Sequence, residues 1–323
     1  MNAQDAFAGR TALVTGSSRG LGLLIAGELA DRGCRVMLCA RDTEALAAAE
    51  RSLRGRPGEV ASTAVDLLDP DTPRRLVEET RRRLGSEPDV LVNNAGIIQV
   101  GPLAALQEQD FQRAVETMLA APLRLVLAVL PGMRARRCGN IVNITSIGGR
   151  VPVPHLLPYV VAKFAATGLS EGLHTELAAD GIRVTTVLPG LMRTGSHNAA
   201  EFAGQVGREY AWFATSASLP LLSVDARRAA RAIVRAAGRG RAELVLTPAA
   251  KAAILAHGLA PGVFVRTLGA VARLLPAPGG SPRHAVPGAR AACHHPADGV
   301  VARLTVLGEQ AGRRYNEPPA QWR

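Results

Sequence analysis

The sequence predicts a doubly wound α/β fold, a Rossmann-type seven-stranded parallel sheet with helices on both faces, followed by a helical C-terminal extension. Three observations carry this expectation. Short runs rich in Val, Ile, Leu and Thr recur through the first 250 residues. Amphipathic segments of helical spacing separate them, and a glycine-rich turn joins the first run to the first helical segment.

In chain order the strands are ALVTG (12–16), VMLCA (36–40), VASTAVD (60–66), DVLVNNAG (89–96), NIVNITS (140–146), IRVTTVLPG (182–190) and ELVL (243–246). LGLLIAGELADRG and DTPRRLVEETRRRLG are two of the amphipathic segments between them. Strand and helix in alternation require parallel neighbours joined by right-handed crossovers. Residues 1–248 therefore read as one catalytic domain, 249–275 as a helical extension and 276–323 as a Pro/Gly-rich tail. Within that tail VVARLTVLGEQAGRRYNE is expected to dock back as a helix, and 276–299 to be loop or disordered.

The formal charge is +11, but only Lys163 and Lys251 are lysines and the remaining cations are arginines scattered among alanines. Aromatic residues are 3% of the chain, so no basic and aromatic stripe suggests a nucleic-acid partner. No run of 18 apolar residues predicts a spanning helix. The start MNAQDAFAGR lacks a basic then apolar leader, so a cytoplasmic protein is expected. Cys34, Cys39, Cys138 and Cys293 have no metal-ligand spacing and read as reduced thiols; no metal site is expected, His294-His295 included.

The turn Thr15-Gly16-Ser17-Ser18-Arg19-Gly20-Leu21-Gly22 follows the first strand. Glycines there let the backbone approach a pyrophosphate at a helix N-terminus, which makes Gly16, Ser18, Arg19, Gly20, Leu21 and Gly22 candidate dinucleotide contacts. The second strand ends Cys39-Ala40-Arg41-Asp42. Without an acidic residue at the tip, Arg41 and Arg19 suit a 2′-phosphate and predict NADP(H), while Asp42 is placed to cap the next helix. Asp66, with Leu67 beside it, either accepts from the adenine amino group or caps the helix starting near Asp69. Asn93, Ala95 and Gly96 end the fourth strand, where small residues admit a ligand; Asn93 equally suits a turn.

Tyr159 and Lys163, spaced i, i+4, share one helical face after Pro158. An ammonium one turn from a phenol lowers the phenol pKa toward the working range, and Ser146 at the tip of the fifth strand reaches the same region. With these residues, TGSSRGLG, NNAG, YVVAK and PGLMRT (189–194) together resemble the short-chain dehydrogenase/reductase family over roughly residues 8–247. The resemblance implies Tyr159 as proton donor and acceptor, Ser146 as orienter of the substrate oxygen, and Lys163 as a ribose ligand that depresses the tyrosine pKa. It also implies that Pro189, Gly190 and Thr194 line the nicotinamide side, and that dimers or tetramers are frequent.

One position departs from the family. Where members usually carry a relay asparagine, this chain has Met118, whose thioether cannot replace an amide. Four residues on, Pro122 has no N–H to give the Met118 carbonyl, so that carbonyl is expected to be a free acceptor that holds the relay water; the alternative is a proline that only bends the helix. The segment Gly195–Pro220 concentrates Phe202, Tyr210, Trp212 and Phe213, read either as a lid over an apolar substrate or as core packing. His155, Tyr210 and Trp212 are the candidate substrate residues. AAKAAILAHGLA and GVFVRTLGAVARLL (249–275) suit packing on the domain, a subunit contact or a bilayer interface. The expected activity is NADP(H)-dependent interconversion of a ketone and a secondary alcohol. The alternative is a cofactor-binding regulator weakened by Met118.

Overall fold

A computed structural model describes residues 5–218, 223–277, 279, 285–291, 310–312 and 314–316. Seven parallel strands form its centre: β1 (Thr11–Thr15), β2 (Arg35–Ala40), β3 (Val60–Ala64), β4 (Val90–Asn93), β5 (Gly139–Ile144), β6 (Ile182–Leu188) and β7 (Glu243–Val245). They lie in the order β7-β6-β5-β4-β1-β2-β3 and all run parallel, as the alternating sequence pattern predicts. The helices between them are α1 (Gly20–Ala30), α2 (Thr43–Leu53), α3 (Thr72–Leu84), α4 (Glu108–Ala135), α5 (Leu157–Glu176), α6 (Val206–Ser218) and α7 (Ala226–Gly238).

Successive strand residues face opposite sides of the sheet, and both sides are apolar because both are covered. Ala12, Val14, Val36 and Leu38 pack with α1 and α7 through Ile25, Leu29, Ile233 and Val234. Leu13, Met37, Leu91 and Ile141 pack with α3 and α4 through Leu76, Leu125, Val129 and Met133. Local chemistry sets the helix ends. Asp42 accepts from the Ala45 N–H at 3.0 Å and caps α2, and Gly85 closes α3 in the left-handed region at φ 77°.

Helix α4 is long and apolar enough to cross a membrane by length and composition, but it bridges β4 and β5 and its buried face is part of the core. It is not one α-helix with a proline defect. Glu116–Ala120 forms a π turn in which the Ala121 N–H bonds the Glu116 carbonyl, five residues back. Pro122 then sits in the first turn of the α-helical segment Ala121–Ala135, where a missing N–H is tolerated. The expected interruption is thus absorbed by a change of register.

Short pairings escape sequence reading. Gln99–Val100 runs parallel to Glu201–Phe202, which pairs antiparallel with Val286–Pro287. Within the segment expected to be irregular, 286–291 therefore contributes a strand and a short helix. After β7 come α8 (Pro248–Leu259) and α9 (Pro261–Ala272), the helical extension. Residues 310–312 and 314 are helical, in the segment expected to dock. Pro220 and all of 292–309, Cys293 and His294-His295 included, lie outside the described residues.

Candidate active site

Strand order reverses between β1 and β4, so a crevice opens beyond their carboxyl ends. The glycine turn lies there, and a hydroxyl and an amide hold it. Thr15 Oγ1 accepts from the N–H groups of Asn94 at 2.9 Å and Ala95 at 3.1 Å. Asn94 Nδ2 donates to the carbonyls of Thr15 at 3.0 Å and Gly16 at 3.1 Å. Gly16 has φ 62°, and a Cβ on it would press on Ala95 Cα at 2.9 Å. A Cβ at Gly22 would fall inside 3.0 Å of both the Gly16 carbonyl oxygen and Asn94 Nδ2. The turn is a backbone-lined cradle that side chains would fill, and this fits a pyrophosphate. Gly20 opens α1, with Ser18 and Leu21 buried beside it.

At the β2 tip Arg41 is exposed. Arg19 Nη2 lies 3.6 Å from Asp42 Oδ2, so the tip is not free of carboxylate: the α2 cap also faces this guanidinium. Asp66 does not cap a helix. Its Oδ1 accepts from the Leu68 N–H at 3.0 Å in a local turn, and α3 begins later, at Thr72. Asp66 is exposed at the crevice edge, with Leu67 half-buried and packed on the core. Asn93 points into the sheet. Its Nδ2 donates to Asn143 Oδ1 at 2.9 Å, Asn143 Nδ2 donates to Ser170 Oγ at 3.0 Å, and Ser170 Oγ meets Thr186 Oγ1 at 2.7 Å. This buried chain ties β4, β5, β6 and α5 together beneath the site.

Ser146 follows β5 in extended backbone, and its Oγ accepts from the Gly148 N–H at 3.0 Å. A Cβ on Gly148 would be in ordinary contact with Tyr159 Cε1 at 3.4 Å and Ser146 Oγ at 3.5 Å, which places both side chains against this glycine. They share a hydrogen bond. Lys163 is buried; its Nζ donates to the Ile144 carbonyl at 2.8 Å and lies 5.6 Å from the Tyr159 ring centre. Burial pushes the ammonium down to about 8. Burial likewise pushes the Tyr159 phenol up, and the Ser146 hydrogen bond offsets this only in part. In the protein alone the phenol is therefore shifted opposite to the lowering expected from Lys163, with burial as the larger cause.

Met118 is buried against Ala162 and Tyr159. A Cβ on Gly96 would lie 3.4 Å from Met118 Sδ and 3.9 Å from Lys163 Nζ, which places the thioether beside the lysine. On the other side the Pro189 carbonyl accepts from the Ile147 N–H at 2.8 Å. Gly190 abuts Thr247 Oγ1, and the buried Thr194 accepts from the Ser196 N–H at 3.2 Å.

The aromatic segment divides. Tyr210, Phe202 and Phe213 are buried in one ring cluster with centroids 5.5 and 5.9 Å apart, so Tyr210 is a core residue and not a free substrate contact. His197, buried against Tyr210, is pushed down to about 4 by the same burial. Trp212 and His155 instead converge on Glu209, whose side chain is fully buried. The His155 Nδ1 lies 2.8 and 3.0 Å from its two oxygens, and Trp212 Nε1 donates at 2.6 Å. Sequence reading misses Glu209; its only signal is a carboxylate one turn before Phe213 on the packed side of α6.

The chain's far end also reaches this crevice. The Gly20 N–H donates to the Tyr315 carbonyl at 2.8 Å, and Asn316 Nδ2 donates to the carbonyls of Ser18 at 2.7 Å and Ala45 at 3.0 Å. Tyr315 is buried against Ala226 and Leu24. The sequence expects this segment to dock, but no local pattern signals that it docks on the glycine turn.

Comparison with known proteins agrees with this geometry. The model of the short chain dehydrogenase family matches residues 10–202. A granaticin polyketide synthase putative ketoacyl reductase of Streptomyces violaceoruber is 40% identical over 185 residues, 57% of this chain and 68% of that protein. An uncharacterized oxidoreductase of Mycobacterium tuberculosis is 35% identical over 198 residues, 60% of this chain and 58% of its own length, so the chain spans little more than half of that relative. The crystal structure of L-sorbose reductase from Gluconobacter frateurii, complexed with NADPH and L-sorbose, superposes with a TM-score of 0.67 at 28% identity, over 75% of this chain and 97% of that one. By this family match, its sheet order, its glycine cradle and its serine–tyrosine–lysine cluster, the chain belongs to the short-chain dehydrogenase family.

Proposed function

We propose that the protein is an NADP(H)-dependent ketoreductase that interconverts a ketone and a secondary alcohol, with Tyr159 as its general acid and base. The observation that carries this reading is the meeting of Ser146, Tyr159 and Lys163 beside the glycine cradle. Gly16, Ser18, Leu21 and Gly22 would hold the pyrophosphate, while Gly20, whose N–H the Tyr315 carbonyl takes, would shape the turn; Arg19 and Arg41 would sit on a 2′-phosphate. Asp66, Leu67, Asn93, Ala95 and Gly96 would border the adenosine and ribose, and Pro189, Gly190 and Thr194 the nicotinamide. When bound, the cofactor supplies a hydride to the carbonyl carbon.

The chain's own part is the proton. Ser146 Oγ–H orients the carbonyl oxygen, and the Tyr159 hydroxyl gives that oxygen its proton as negative charge develops there. A phenol kept protonated by burial is a ready donor in the reductive direction, and Lys163 limits the cost of the phenolate that remains. The bound NADPH of the sorbose reductase relative and the two arginines support NADP(H). Trp212, half-buried in the cluster on which Tyr159 packs, supports a substrate with an apolar body. Exposed Leu127, Leu157, Val161 and Phe164 on α4 and α5 support a homodimer or homotetramer. The buried unpaired thiols Cys34 and Cys39 support a cytoplasmic setting.

NADPH consumption measured against a panel of ketones and aldehydes tests the reading. Turnover is expected with at least one ketone, falling about 10²–10⁴-fold in Tyr159→Phe. Absence of cofactor binding by titration overturns it. A second reading, a cofactor-binding regulator with weak chemistry, is favoured by Met118 in place of an amide beside Lys163. It predicts NADPH binding with no turnover on the whole panel.

A further inference from the structure

Helices α8 and α9 form a hairpin that leaves the domain at the edge strand β7. Its root is fixed: Thr247 Oγ1 accepts from the Ala250 N–H at 3.2 Å, and Ala250 is the buried residue of α8. Beyond that root the hairpin is held by its own packing, including an edge contact of His257 on Phe264 at 5.5 Å, and α9 has no buried residue at all. Half of the exposed large apolar side chains among the described residues are here: Leu255, Leu259, Val263, Val265, Val271 and Leu274. Leu259 at 78% and Leu274 at 85% exposure are the most exposed of the large apolar residues among those described. A helical pair so apolar and so open needs a medium or a partner to cover it.

Two features choose the occupant. The first is the distribution of the apolar groups. At about 100° per residue, Phe264 and Leu268 of α9 face the seam with α8, both half-buried, while Val263 and Leu274 flank it on one side and Val265 on the other. The turn Leu259-Ala260-Pro261-Gly262-Val263 is apolar as well. A flat protein partner covers one face; a fluid hydrocarbon covers both flanks and the tip. The second feature is charge. Between residues 248 and 275 there are three cations, Lys251, Arg266 and Arg273, and no Asp or Glu. Arg266 and Arg273, seven residues apart, make one narrow basic stripe along α9, where long side chains reach past an apolar body to headgroups. A second copy of the hairpin would set these cations against their own kind, whereas an anionic lipid surface complements them.

We propose that the hairpin 248–275 is an interfacial anchor that lies in the surface of an anionic bilayer, its apolar tip and flanks among the acyl chains and its arginines at the phosphates. This inference does not depend on the ketoreductase reading. The test is co-sedimentation of the full chain with vesicles of phosphatidylcholine alone and of phosphatidylcholine with phosphatidylglycerol, at low and high salt, with light scattering of the protein alone. The wild type is expected to sediment with the anionic vesicles and to be released by salt. Leu259→Glu/Val263→Glu, at exposed positions that leave the core intact, is expected to lower the bound fraction at least tenfold. Arg266→Gln/Arg273→Gln is expected to weaken anionic binding about fivefold per cation, with thermal unfolding of both variants like that of the wild type. Absence of vesicle binding overturns the proposal, as does equal binding to both vesicle types. So does an oligomer that Leu259→Glu/Val263→Glu dissociates without any lipid effect, since the hairpin would then be a contact between copies.

Discussion

Met118 stands at the lysine end of the site, with Pro122 one turn further along the helix. The buried thioether beside Lys163 supplies no hydrogen bond of amide quality. What the backbone offers is set by the π turn. The Ala121 N–H reaches back five residues to Glu116, so Pro122 stands opposite Thr117 in that register and opposite Met118 in the α-helical one. It can donate to neither carbonyl. π turns of a single turn are frequent at functional sites, and a carbonyl relieved of its donor is open to a water. Pro122→Ala restores an N–H there. A neutral hydrogen bond is worth about 1 kcal/mol, so kcat is expected to fall by about fivefold with NADPH affinity unchanged, measured by steady-state kinetics and titration. Met118→Asn is expected to change kcat less than Pro122→Ala does. If Pro122→Ala leaves kcat and its pH profile untouched, the carbonyl has no part in the proton path.

At the scale of the element, the site is a set of backbone approaches that only glycine permits. Gly22 leaves room for Asn94 Nδ2 and the Gly16 carbonyl to meet, so one methyl group there displaces the brace of the whole turn. Gly22→Ala is expected to weaken NADPH binding by tenfold or more and to lower stability by about 1–3 kcal/mol, as overpacking does; fluorescence titration and denaturant unfolding check the two effects. All seven sheet strands are legible in the sequence because both faces of the sheet are covered and each strand reads as an apolar run. The pairings of Gln99–Val100 and Val286–Pro287 are not, since two residues carry no period. The π turn is equally silent, because one extra residue in a helix leaves no mark on composition. Among the candidate site residues, Ser146, Tyr159 and Lys163 are legible from spacing and strand position. Asn143 and Glu209 are not, because their partners lie 27 and 54 residues away.

Across the whole molecule, residues far apart in sequence meet at the cofactor crevice. Asn316, with φ 61° in the left-handed region that asparagine tolerates, bonds the Ser18 carbonyl from 298 residues away, and Tyr315 takes the Gly20 N–H. The end of the chain thereby stiffens the glycine turn from outside. Asn316→Ala removes two hydrogen bonds and leaves two carbonyls without this donor. Thermal unfolding is expected to report a loss of about 1–3 kcal/mol, and titration a weaker NADPH complex; if both match the wild type, the docking is incidental to the site. The same economy explains why Cys34 and Cys39, whose thiols burial pushes up to about 12, serve as core residues and not as nucleophiles. The central claim, a tyrosine-driven reduction at a cofactor cradle of this chain's own making, is tested most directly by one paired measurement on wild type and Tyr159→Phe: cofactor affinity by titration and NADPH oxidation with an accepted ketone. Both proteins are expected to bind NADPH alike, each about tenfold or more tighter than NADH through charge-assisted bonds to the 2′-phosphate, and the variant alone to lose turnover. Undiminished turnover in Tyr159→Phe, or no NADPH binding by the wild type, contradicts this claim.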